Sequence, residues 1–242
     1  MNYTFKNRAF RWGILLCVFL FMLLFCFFLN RNVSNTKNIS NLLDVVTSYA
    51  GFNYFILHGT IYNMLFSILI VFSLPNIGIQ KIVRMERNTI IKWCIGVIFK
   101  EVILFTILFS FAYIIVAGFK FGWSFFLMTN FFMGVLFQWV MLILLYQVLG
   151  SCYLIIYAIT LSKSQALIIS VICSTILTCL TLLFKIWSPF VDIEIFNSFY
   201  LEGKGITLVR FFLKIVRELV ICIVLSYIAL ILFKAKDILG HG

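Results

Sequence analysis

Apolar positions in this chain gather in long runs, separated by short polar stretches, without the strict alternation of half-buried strands. Runs of that length predict helices that cross a membrane. Six spans are expected, over about 12–29, 54–74, 98–117, 134–161, 166–186 and 212–233. The first follows Arg11-Trp12 and lacks a small-residue cleavage site, so it reads as a retained span rather than a signal peptide. Pro75 ends the second, because its ring and missing N–H stop a helix. Gly118 to Gly122 close the third, and Ser162-Lys163-Ser164-Gln165 predicts a tight turn between the fourth and fifth.

Two stretches resist this simple reading. Between spans 2 and 3, Lys81, Arg84, Arg87, Lys92 and Lys100 gather with Glu86 and Glu101. On a helix over 79–94, Ile79, Ile82, Val83, Ile90, Trp93 and Cys94 share one face, and Lys81, Arg84, Asn88 and Lys92 the other. That predicts an amphipathic helix at a membrane surface or against a partner. Glu86 falls in the middle of the apolar face, where a carboxylate needs a partner. The run 123–161 is too long for one ordinary span at about 1.5 Å per residue. It is read as an outer interfacial or re-entrant piece over about 123–133 followed by a long span, in preference to two spans turning near Gly150-Ser151.

Composition settles the class. With 64% apolar residues, 29 Phe and 11% charged residues, and a mean hydropathy of +1.13, a water-soluble globule cannot bury so much apolar surface. The chain is expected to be an all-α integral membrane protein, one domain over 1–242. The net charge of +11 then speaks to orientation and not to nucleic acid. Eleven of the nineteen Lys and Arg fall on the side that holds both termini, which predicts both termini in the cytoplasm. The polar stretch 30–53, with sequons at Asn32-Val33-Ser34 and Asn38-Ile39-Ser40, reads as a solvated outer loop. The seven Cys lack paired spacing and read as small buried hydrophobes, with no disulfide framework or metal site expected.

Charges near the spans need an account of their own. Lys100 and Glu101 fall just inside the inner boundary, where snorkelling or pairing is expected. Arg210, Lys214 and Arg217 share one face at the start of span 6 and are expected to face a polar cavity, the outer headgroups or a partner subunit, never the lipid core. His58 is expected as a polar anchor at the outer end of span 2. There is no G-x-x-x-x-G-K-[ST], no H-E-x-x-H and no G-x-S-x-G, which argues against an enzyme and against a nucleotide site in this chain.

The order of parts resembles the membrane subunit of an ABC-2 type transporter, an ATP-binding-cassette permease. Phe5-Lys6-Asn7-Arg8-Ala9-Phe10-Arg11-Trp12 is similar to that family's basic-aromatic, interfacial first helix. Arg84-Met85-Glu86-Arg87 through Trp93 to Lys100 is similar to its coupling region, Leu161 to Ala166 to its turn between spans 4 and 5, and Phe233 to Ile238 to its basic tail. The resemblance implies a cytoplasmic coupling helix between spans 2 and 3, with Arg84, Glu86, Arg87, Lys92 and Trp93 meeting a separate ATPase. It also implies an outer re-entrant segment before span 6. ATP and Mg would sit on the partner, with no cofactor in this chain. The implied partners are that ATPase, a second permease copy or related permease, and bilayer lipid; the implied location is a bacterial plasma membrane. The expected activity is export of an amphipathic peptide, lipid or drug. The alternatives are a stand-alone membrane immunity or sensor protein, and the substrate-binding membrane subunit of a vitamin importer.

Overall fold

Among the described residues, every regular element is a helix. The computed structural model describes residues 2–31, 38, 40–42, 54–74, 87–128, 130–195 and 208–235. In chain order the helices are α1 (Asn2–Leu29), α2 (Phe55–Gly59), α3 (Ile61–Ser73), α4 (Arg87–Phe121), α5 (Trp123–Met128), α6 (Phe131–Thr160), α7 (Lys163–Phe184) and α8 (Leu208–Ala235), with a 3-10 turn at Pro189–Ile193 before the last. Six segments are long and apolar enough to cross a membrane: α1, the α2–α3 pair, α4, α6, α7 and α8. The chain is thus a multi-pass helical membrane protein.

Several boundaries differ from the sequence expectation. The basic lead-in and span 1 form one helix, α1, because nothing at 9–12 breaks it and Gly13 lies on an open face. The segment from Arg87 and span 3 likewise form one helix of 35 residues, with no proline in it. The run 123–161, by contrast, divides as expected into a short α5 and a long α6 that passes Gly150-Ser151 without interruption, with α6 starting at Phe131 instead of Gly134. Gly122, at φ 80°, makes the turn between α4 and α5, a backbone region glycine adopts without strain. The turn between α6 and α7 is as tight as its sequence predicts. Leu161 takes the left-handed conformation and donates to Tyr157 O at 2.9 Å, while Ser162 Oγ caps α7 through Gln165 N.

Charge spacing sets the depth of the bundle. No charged residue occurs over 102–119 of α4 or 12–29 of α1, and each run spans roughly 27 Å at about 1.5 Å per residue, close to the hydrocarbon thickness. At one limit, the basic end, Arg11 of α1 pairs with Glu101 of α4. At the other, the far end, Lys120 of α4 donates to the Asn30 carbonyl that closes α1. Lys163 caps the C-terminus of α3 at the basic end through Leu74 O, with Val71 O at 3.4 Å.

The second span is broken inside the membrane. α2 stops at Gly59 and α3 restarts at Ile61, with Thr60 at φ −118°, ψ −92° between them. Backbone groups freed in a bilayer must find partners in the protein. Here Ser174 Oγ donates to Gly59 O at 2.7 Å, and Asn63 Nδ2 donates to Ser174 Oγ at 2.6 Å. Ser170, Ser174, Thr178 and Thr181 share one face of α7 and are buried, and such small residues let helices approach closely. The approach is tight enough that a Cβ on Gly59 would lie 1.9 Å from Thr178 Oγ1.

The core lies among α2–α3, α4 and α6, where half or more of each apolar window is buried, against 17–22% for α1, α7 and α8. Its centre is aromatic. Tyr146 of α6 meets Phe66 and Phe105 edge-on at 5.0 and 4.7 Å, and Tyr62 meets Phe109 at 4.9 Å. The outer faces of α1, α7 and α8 present Leu, Ile and Phe, as lipid contact requires. Cys17, Cys173 and Cys179 lie exposed on those helices, so only some of the seven Cys are the buried hydrophobes expected.

Candidate functional site

The candidate machinery is charged, and it divides between the two ends of the bundle. At the basic end, α4 continues past Glu101. From Glu101 back to Arg87 the helix adds roughly 22 Å with Lys92, Trp93 and Lys100 exposed and Cys94 buried. Trp93, expected on the apolar face, is 45% exposed. Arg87 begins this helix, and Arg84 and Glu86 lie outside the described residues. The buried carboxylate that the structure does place here is Glu101, 1% exposed. Its Oε1 accepts from Arg11 Nη2, which joins the first turns of α1 inside the membrane to α4. A buried carboxylate is tolerable only with such a partner.

At the far end, the turn Pro189–Ile193 tucks Phe190, Asp192 and Ile193 into the bundle. Asp192 is 2% exposed and gathers two of the three cations of the α8 stripe. Arg217 donates to Asp192 Oδ2 and lies over the Trp187 ring at 4.1 Å, and Lys214 Nζ stands 4.0 Å from Oδ1. Arg210, a full turn earlier, is exposed. Glu218, also buried, stands beside Asp192 and Arg217. Glu194 lies just past the turn, outside the spans. Burial holds its carboxyl above the ordinary value of 4.5, while Lys214 and a backbone hydrogen bond with Phe55 pull it down. No charged residue follows over 219–233, so this cluster closes the far end of the apolar run of α8.

His58 is not the surface anchor its position implies. It is fully buried, with Nδ1 2.9 Å from Tyr146 Oη and its ring 5.1 Å from those of Tyr62 and Phe109. Beside the α2–α3 break, a cavity of about 110 Å³ lies among α3, α6 and α7, its polar wall formed by Asn63, Ser170 and Ser174. Sequence reasoning missed three relations: Arg11 as the partner of Glu101, Asp192 as the collector of the α8 cations, and the break at Thr60. For Asp192 there was a signal, a lone acid among Pro189, Phe190, Val191 and Ile193.

No protein-family model, characterised protein or solved structure matches this chain. Its functional reading therefore stands on sequence and geometry.

Proposed function

We propose that this chain is the permease subunit of an ATP-binding-cassette exporter, with both termini in the cytoplasm and its energy supplied by a separate ATPase. The observation that supports it best is the unbroken α4. Its first turns carry Arg87 and Lys92 beyond Glu101, and the same helix carries Phe105 and Phe109 into the aromatic core. A load applied to the projecting end is transmitted along a rigid element, which is the physical requirement for coupling two distant sites. The Arg11–Glu101 pair makes α1 move with it.

In this reading Arg84, Glu86, Arg87, Lys92 and Trp93 form the docking edge for the ATPase, which holds ATP and Mg. Hydrolysis there rocks the bundle between inward-open and outward-open states. The cargo is an amphipathic peptide, lipid or drug, met by aromatic and aliphatic walls, and the assembly holds a second permease copy or a related one. The test is site-directed cross-linking from Thr89 and Lys92, which are exposed on α4, to a purified ATP-binding-cassette ATPase from the same cell. Cross-links at both positions that Glu86→Ala leaves in place, while ATP hydrolysis in the complex falls, are the expected result. Cross-links no stronger than from exposed Lys185 at the far end exclude this docking edge.

A further inference from the structure

A cleft near the far ends of α1 and α4 lies outside this machinery. It holds about 320 Å³ and is lined by Phe27, Asn30, Arg31, Val116, Phe119 and Lys120. Two cations line it and no acid does. The Arg31 guanidinium lies 4.5 Å over the Phe28 ring, which holds it at the rim with its donors unspent among the described residues. Lys120 uses one donor on Asn30 O, and an ammonium has three.

Asn30 carries the independent sign of a ligand. It is 2% exposed, and its Nδ2 donates to Cys26 O at 2.8 Å. Its Oδ1, also buried, has no partner among the described residues. A buried acceptor without a donor is costly, so a small turn of the Asn30 side chain that brings Oδ1 to the cleft wall, against a group carrying an O–H or N–H, removes that cost. Depth identifies the rest. Arg31 and Lys120 both stand where the charge-free runs of α1 and α4 end, the level expected for lipid phosphates, and Phe119 beside them is 85% exposed.

We propose that this cleft binds the headgroup of an anionic phospholipid of the far leaflet that carries a hydroxyl donor. The phosphate sits between Arg31 and Lys120, the hydroxyl donates to Asn30 Oδ1, and the acyl chains lie along Phe27, Val116 and Phe119. A choline headgroup satisfies neither requirement, because it is neutral overall and has no N–H or O–H. The site is for a resident lipid and stands whether or not the chain is a transporter subunit.

The experiment uses the full chain in nanodiscs of mixed phosphatidylglycerol and phosphatidylcholine, extracted gently and weighed by native mass spectrometry. Phosphatidylglycerol is retained in preference to phosphatidylcholine by the unaltered protein. Arg31→Gln lowers that preference about five-fold, the effect of one surface cation on anionic lipid. Asn30→Leu narrows the preference for phosphatidylglycerol over phosphatidylmethanol, a singly charged phosphodiester with no hydroxyl. Lys185→Gln removes a cation at the same end and leaves both preferences in place. Lys120 also caps α1, so Arg31→Gln and Asn30→Leu carry the test even if Lys120→Gln does not fold. Equal retention of the two lipids, or retention unaltered in Arg31→Gln, overturns the proposal. So does release of the lipid by millimolar inorganic phosphate that then binds alone, since the ligand is in that case the free anion.

Discussion

Arg11 and Glu101 form an unequal pair: the guanidinium is half exposed at the membrane boundary and the carboxylate is buried. Removing the cation strands a buried charge, whereas removing the acid lets Arg11 turn to water or headgroups. Breaking a fully buried pair costs about 3–5 kcal/mol; the exposure of Arg11 reduces this to roughly 1–3 kcal/mol for Arg11→Gln. Glu101→Gln should cost under about 1 kcal/mol, and thermal unfolding in detergent distinguishes the two. Equal losses would show that the pair does not hold α1 to α4. Glu194 provides a pH test. Its folded-state value lies above its unfolded one, so its favourable contribution is full below the ordinary carboxylate value and is lost as pH rises through the raised value. Glu194→Gln should therefore flatten the decline in melting temperature as pH rises above 4.5, and an unchanged profile refutes the burial argument. Such pairings were the least legible part of the sequence. The cost of Glu101 in a membrane can be read locally, but its partner lies 90 positions away, and no periodicity connects the two. The same holds for Asp192 with Lys214 and Arg217.

The helices themselves were legible wherever apolar runs ended at charges, Pro75 or the Ser162 cap, because each of these acts within a few residues. Their continuity was harder to read. Polar lead-ins at 2–11 and 87–97 resemble separate surface helices, yet without Pro the backbone hydrogen bonding simply continues. The break at Thr60 was invisible for the opposite reason: what makes it tolerable is Ser174 on a helix far along the chain. The contact between Gly59 and Thr178 tests that account. Gly59→Ala forces a Cβ into the Thr178 side chain and should cost about 1–3 kcal/mol, the usual penalty of overpacking. Thr178→Ala in the same protein should restore part of it, by removing the two nearest side-chain branches. Additive losses in the double variant, measured by thermal unfolding, contradict the packing of α2 on α7.

Across the whole molecule, the two ends of the bundle carry different chemistry: a projecting basic helix at one, and acids collecting cations at the other. If both termini are cytoplasmic, a single cysteine at Thr89 in a Cys-free protein should label only after the membrane is permeabilised. One at Asn41 should label in intact cells, and the reverse pattern inverts the topology. In the proposed mechanism force enters through α4, and Gly96 is the place to interrupt it, since it lies on an open face between the first turns of the helix and Glu101. Proline there removes a helix hydrogen bond and kinks the rod, at about 3 kcal/mol locally, while Gly96→Ala keeps it straight. The decisive measurement is ATP-driven efflux of a fluorescent amphipathic peptide from proteoliposomes holding this chain and its ATPase, with ATP hydrolysis followed in the same vesicles. Force entry through α4 predicts efflux with the unaltered chain and with Gly96→Ala, and hydrolysis without efflux in Gly96→Pro. Efflux undiminished in Gly96→Pro, or efflux by this chain with no ATPase present, would contradict it.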